Sequence, residues 1–121
     1  ILKLINKQNL KFTSGNQIYN FIYVTDIVTA IIKSIYSNRA CGIFNLGHDK
    51  SYTIKHIVKL IFKKLKIVEK PIFGDLNYRK DQVMNFLPSI SKIKQKLKWK
   101  PQYSLSEGLD STIKSIRKEL K

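Results

Sequence analysis

Short β-branched and aromatic runs alternate along this chain with apolar residues at helical spacing, and that alternation restricts it to a mixed α/β class. The runs Leu10–Thr13 and Gln17–Val24 read as strands. Ser14-Gly15-Asn16 lies between them, and its glycine supplies the positive φ of a hairpin turn. Ile27, Val28, Ile31, Ile32 and Ile35 then recur at helical spacing, with Thr25 or Asp26 as the expected cap and Ser37-Asn38 as the stop. Gly42 to Gly47 is a short apolar run between glycines, the pattern of a buried strand. Thr53 is placed to cap a helix with Ile54, Ile57, Val58, Ile61 and Leu65 on one face. Pro71 to Gly74 reads as another short strand, and Asp75 to Pro88 has no period and reads as a loop. Ser89 or Ser91 starts a helix with Ile93 and Leu97, which Pro101 keeps from continuing. Ser104-Leu105-Ser106-Glu107 is a capping box, and the helix it opens buries Leu109, Ile113, Ile116 and Leu120. These strands are few for a complete sheet.

The 121 residues make one domain or less, and 43% apolar content is enough for a core. The formal charge of +15 raises the alternative of a basic nucleic-acid-binding module. Two features count against it. The cations are lysines apart from Arg39, Arg79 and Arg117, and base readers favour the planar fork of arginine. The lysines are also dispersed, as expected for solvated helix faces. Tyr19, Phe21 and Tyr23 alternate in one run, yet no glycine pattern of an RNA-binding sheet surrounds them, so packing is expected. Cys41 is the only cysteine, which suits a reducing cytoplasm. No apolar run approaches the roughly 20 residues of a membrane span. The chain opens Ile1-Leu2-Lys3-Leu4-Ile5 with neither Met nor a capping residue, so further residues are expected upstream.

Little in the chain carries catalysis. Cys41, His48 and His56 are too few and too scattered for a zinc site. Gly42 and Gly47 form no GxGxxG, and no Walker pattern is present. Tyr36, Tyr52 and Tyr78 are followed four residues later by Ala40, His56 and Gln82, never by lysine. The polar segment Tyr78 to Asn85 is the exception in interest. Its Arg79 lies outside any expected helix, where a guanidinium either grips a diphosphate through paired hydrogen bonds or pairs with Asp75 or Asp81.

Four blocks in order resemble the extended short-chain dehydrogenase/reductase family of sugar-nucleotide epimerases and dehydratases. Gln17 to Asp26 (QIYNFIYVTD) resembles that family's Q-x-R-D-F-I-Y-V-D-D, and Ile43 to Gly47 (IFNLG) with Ser51 to Ile54 resembles its F-N-[IL]-G strand and following helix entry. Tyr78 to Val83 (YRKDQV) is similar to its R-P-G-[DE]-V loop. Ile90 to Ile93, Trp99 to Pro101 and Ser104 to Leu109 are similar to its closing S-K-A…L-G-W-x-P…[ST]-L-E-E-G-L.

The resemblance implies that residues 1–121 are the C-terminal, substrate-binding region of a Rossmann-type α/β enzyme: its last strands plus a small substrate-binding domain. It implies that the glycine-rich NAD(P) loop and the catalytic Tyr-x-x-x-Lys lie upstream, so this region holds no cofactor and does not turn over alone. Arg79 falls on the arginine that contacts the diphosphate of a nucleotide sugar. Tyr19 takes the place of a second such arginine and is expected with Arg79 at the substrate-binding site, and Asn20 takes that of the aspartate after it. Asp26 matches the second aspartate of the D-D pair, Thr25 replaces the first, and Lys80-Asp81 stand at the P-G step. Lys98 replaces the glycine of L-G-W and gives up an easy left-handed helix end. The implied partner is a nucleotide sugar, and a strand cut from a larger sheet leaves an open edge that favours association with a second copy of the chain.

Overall fold

A computed structural model describes residues 1–120. The elements in order are α1 (Leu2–Ile5), β1 (Ile18–Asn20), α2 (Val24–Ile35), β2 (Ser51–Thr53), α3 (Ile54–Leu65), β3 (Asn85–Phe86), α4 (Ser91–Leu97) and α5 (Leu105–Glu119). They form the mixed α/β arrangement that the sequence implies. The three strands pair in the order β2-β1-β3, antiparallel between β1 and β2 and parallel between β1 and β3.

The expected hairpin is absent. Phe12 instead makes an isolated parallel bridge with Phe73, so the two flanking runs do not pair with each other. Gly15 does adopt φ 71°, for a different reason. Its carbonyl accepts the Lys55 N–H at 2.8 Å, and a Cβ on Gly15 would stand 2.9 Å from that nitrogen. The glycine lets the chain pass against the first turn of α3. Gly42–Gly47 joins no ladder among the described residues, and Pro71–Gly74 contributes only the Phe73 bridge. The loop expected over Asp75–Pro88 contains the short strand β3.

The caps expected at Thr53 and Ser104 form, whereas α2 starts with Tyr23 at its N-cap position and no side-chain bond, so neither Thr25 nor Asp26 caps it. The Thr53 hydroxyl accepts the His56 N–H at 3.1 Å at the start of α3. At α5, the Ser104 hydroxyl accepts the Glu107 N–H at 3.3 Å, and Glu107 accepts the Ser104 N–H at 2.8 Å. The hydrogen bonds from Ser104 hold the Glu107 carboxyl below the usual glutamate range. Neither Ser89 nor Ser91 caps α4, where Ile90 holds the N-cap position without a side-chain bond. α4 stops at Leu97 because Lys98 turns left-handed at φ 50°, so the αL terminus forms without glycine.

The core gathers Ala30, Ile90, Ile93, Leu97 and Trp99, backed by Ile22, Ala40, Phe44 and Leu46. α2 enters this core with its small side. Ala30 and Asp26 are buried, whereas Val28, Ile31, Ile32 and Ile35 on its larger apolar stripe face solvent. α5 buries Ile113, half-buries Leu109 and Ile116, and leaves Leu120 exposed.

Candidate functional site

The site is built where β1 meets the loop before β3. Ile18 donates its N–H to the Met84 carbonyl at 2.8 Å, and the parallel register sets Tyr19 opposite Phe86. That register brings the Tyr19 side chain onto the loop. Its hydroxyl donates to the Val83 carbonyl at 2.7 Å and accepts from Gln82 Nε2 at 2.6 Å. Gln82 in turn donates its N–H to the Arg79 carbonyl at 3.1 Å, closing a turn. The start of the loop is tied down as well, because the Asn16 N–H donates to the Tyr78 hydroxyl at 3.0 Å. Arg79 therefore sits between two tethers, one at Tyr78 and one at Gln82.

Arg79 itself is exposed. Among the described residues the ion pairs are Lys64–Asp110 and Lys94–Asp49, so Arg79 is paired with neither Asp75 nor Asp81. The sequence puts Arg79 and Tyr19 at one site, and the structure brings their segments together. It gives them different surroundings: the Tyr19 hydroxyl is committed to the loop, while Arg79 is exposed and in no ion pair among the described residues.

Two supporting residues were not legible as such. Asp26, expected as a cap or a motif match, is 1% exposed and accepts the N–H groups of Gln102 at 2.8 Å and Tyr103 at 3.1 Å. It ties the start of α2 to the segment between α4 and α5. Asn20 binds the turn that precedes β2. Its Nδ2 donates to the His48 carbonyl at 2.7 Å and to the Ser51 hydroxyl at 3.0 Å, and its Oδ1 accepts the His48 N–H at 2.6 Å. A Cβ on Gly47 would fall 2.7 Å from that Oδ1, which explains the glycine. Asn20 was signalled only by its place in the Gln17–Asp26 block, and Asp26 by that place and its position at a helix start.

The aromatic run packs as expected. Tyr23 lies 4.8 Å from Tyr103 between ring centroids and covers Gly108, where a Cβ would meet its ring at 3.3 Å. His56 stacks on Tyr52 at 5.2 Å, and the His48 ring nitrogen Nδ1 accepts the Lys50 N–H. The Lys94 ammonium, which bonds Asp49, holds that carboxyl below the usual aspartate range. No cluster of three His, Cys, Asp or Glu side chains able to hold a metal occurs among the described residues. No helix among them is long and apolar enough to cross a membrane.

Comparison with known proteins shows which family the chain belongs to. Residues 2–112 match the family model of GDP-mannose 4,6 dehydratase. The chain belongs to that family. Among curated proteins it is 30% identical over 98 residues to dTDP-4-dehydro-6-deoxyglucose reductase of Escherichia coli, covering 81% of this chain and 30% of that protein. It is also 30% identical over 113 residues to UDP-glucuronic acid decarboxylase 1 of Arabidopsis thaliana, covering 90% of this chain and 24% of that one. The chain thus spans 30% and 24% of the lengths of these two relatives. Among solved structures, UDP-glucose 4-epimerase of Thermotoga maritima with UDP-glucose superposes with TM-score 0.88 at 27% identity, over 99% of this chain and 38% of that one. UDP-glucuronic acid 4-epimerase of Bacillus cereus, in complex with UDP-glucuronic acid and NAD, superposes with TM-score 0.85 at 21% identity and shares the fold. Members of this family are NAD-dependent epimerases and dehydratases of the Rossmann type, and the fold described above is a portion of theirs.

Proposed function

We propose that residues 1–121 are the C-terminal, substrate-binding portion of a nucleotide-sugar epimerase or dehydratase, and that they hold the diphosphate of the sugar nucleotide without turning it over alone. The observation that carries this is the exposed Arg79 guanidinium on a loop tethered at both ends, at Tyr78 and through Gln82 to Tyr19. A planar guanidinium on a fixed turn offers two parallel N–H donors to phosphate oxygens and loses little freedom on binding. Tyr19 acts by fixing the loop. Its one hydroxyl proton is spent on the Val83 carbonyl, so it holds Arg79 in place and leaves phosphate binding to the guanidinium.

NAD belongs to this proposal through the relatives, since the Bacillus cereus neighbour is in complex with it. A dinucleotide pyrophosphate needs a glycine turn between strand and helix. Here Phe21-Ile22-Tyr23 leads into α2 and Thr53 passes directly from β2 into α3, and neither junction carries a glycine. These junctions do not fit the cofactor, so no step is derived through it. The lone thiol Cys41 and the nucleotide-sugar substrate together fit a cytoplasmic setting.

Thermal unfolding with and without UDP-glucose, UDP-glucuronic acid and a dTDP-sugar tests the assignment. A ligand at about a hundredfold excess over its Kd stabilises by about 2.7 kcal/mol. Arg79→Ala is expected to weaken the responding ligand roughly tenfold or more, since charged hydrogen bonds are worth about 1.5–3 kcal/mol. An undiminished response in Arg79→Ala would refute the role of Arg79.

A further inference from the structure

The C-terminal ends of α2 and α4 enclose a groove of about 660 Å³. Lys33 and Arg39 border it from the α2 side, and Lys96 and Lys98 from the α4 side. None of the eight acidic residues of the chain reaches it. The ion pairs among the described residues are Lys64–Asp110 and Lys94–Asp49, so all four cations of the groove lack a carboxylate partner. The cavity between α3 and α5 is also bordered by cations, but Asp110 stands among them.

The cations are set on fixed backbone. The Lys33 ammonium donates to the Lys98 carbonyl at 2.8 Å, which ties the two helix ends together and leaves two of its three donors free. Arg39 closes a turn, its N–H donating to the Ser37 hydroxyl at 3.2 Å while the Ala40 N–H donates to the Ser37 carbonyl at 3.1 Å. Lys98 stands at φ 50°, where glycine is unstrained and a lysine is not. Lys7 and Lys66 share that backbone but lie outside the groove. Strain of this kind collects at working sites.

Charge selects the occupant. Two helix C-termini bring about half a negative charge each, so four cations outweigh them. Covering the groove with neutral polypeptide would strand those cations. The chemistry of the occupant therefore follows from the lining, whatever further chain adjoins it. Ile32 and Tyr36, one turn apart on α2, add an apolar wall, and Tyr36 is 86% exposed. The volume is that of a small-ligand site, about 300–1,000 Å³, rather than of a track for a polymer.

We propose that this groove binds a linear oligophosphate longer than a diphosphate, either free or as the phosphate tail of a nucleotide. Arg39 meets phosphate oxygens through paired N–H donors, and Lys33, Lys96 and Lys98 act as point charges around the chain. The proposal stands apart from the sugar-nucleotide assignment, because none of these residues belongs to the Tyr19–Arg79 site.

Calorimetric titration of the Arg79→Ala chain, in which the diphosphate grip of the Tyr19–Arg79 site is removed, tests it with tripolyphosphate, ATP and adenosine. At about 0.15 M salt exposed charges are screened beyond about 8 Å. Saturable one-to-one binding of tripolyphosphate and of ATP is expected, and none of adenosine. ATP tighter by roughly tenfold assigns the groove to a nucleotide with its base on Tyr36, whereas equal affinities assign it to free oligophosphate. Adding Arg39→Gln or Lys98→Gly should weaken both ligands roughly tenfold, the loss of one charged hydrogen bond. Glycine fits the φ 50° backbone, so an unfolding midpoint that does not fall shows the fold of Lys98→Gly intact. Lys59→Gln, which takes the same charge from the exposed face of α3, should leave binding unchanged. Absence of saturable binding in Arg79→Ala would overturn the proposal and leave the sugar-nucleotide reading standing. Indifference to both Arg39→Gln and Lys98→Gly, or an equal loss in Lys59→Gln, would overturn it as well.

Discussion

Replacing Asp26 with alanine is expected to destabilise the fold by about 2–3 kcal/mol, measured as a lowered denaturation midpoint at unchanged slope. The carboxylate is 1% exposed and its two oxygens accept separate backbone N–H groups, from Gln102 and Tyr103. Alanine leaves both donors without their partner and leaves a gap under α2. Hydrogen bonds to a charged acceptor are the costly ones to lose, about 1.5–3 kcal/mol each before water enters the gap. Asp26→Asn keeps one carbonyl oxygen but turns an amino group toward the other donor, so it should fall between wild type and alanine. Trp99 is the only tryptophan and lies in the adjoining core, so its fluorescence reports the transition directly. A loss below about 1 kcal/mol in Asp26→Ala would show that the connection between α2 and the Gln102–Tyr103 segment is peripheral.

Trp99→Ala is the larger lesion. Trp99 is 4% exposed and packs with Ala30, Ile90, Ile93 and Leu97. Removing a buried aromatic side chain costs about 3–5 kcal/mol, through lost burial and the cavity left behind. Against a typical total of about 5–15 kcal/mol, that takes the chain toward a substantial unfolded fraction at ordinary temperature. Trp99→Phe should retain most of the packing and lose the indole N–H bond to Thr29, for about 1 kcal/mol from that bond. Far-ultraviolet circular dichroism followed through thermal unfolding separates the two variants. Equal midpoints would mean that the hydrogen bond, not the ring volume, dominates at this position.

The legible parts of the fold were those encoded within a few residues. Thr53 with His56, and Ser104 with Glu107, are three apart in sequence and form the bonds their side chains suggest. What sequence reasoning lost was long-range partnership. Ser14-Gly15-Asn16 has the composition of a hairpin turn, but Gly15 serves the close approach of Lys55, 40 positions on. The partners of β1 are at Ser51–Thr53 and Asn85–Phe86, chosen by packing rather than by any local turn. The stripe on α2 was read correctly as apolar, yet periodicity cannot say which of two apolar faces meets the core. Ala30 faces inward because α4 and Trp99 occupy that side.

The site divides the same way. Arg79 stands out in sequence as one of three arginines in an irregular polar loop, and the four-block resemblance gave it a role. The family resemblance is confirmed by the family match over residues 2–112. The hold of Tyr19 on Gln82 and Val83 was invisible, because it spans about sixty residues and depends on the parallel register of β1 and β3. Asp26 was visible as a motif position and misread as a cap, since a buried acceptor and a helix cap use the same residue type near the same helix start.

The central claim is that the tethered loop at Arg79 grips a diphosphate. Amide chemical-shift mapping of the isotope-labelled chain, titrated in parallel with uridine, UDP and UDP-glucose, tests it most directly. The expected result is saturable shifts at residues 78–83 and at Tyr19 with UDP and UDP-glucose, weak or absent shifts with uridine, and loss of the response in Arg79→Ala. Shifts of equal size with uridine, or a UDP response that is confined to other segments and survives Arg79→Ala, would contradict it.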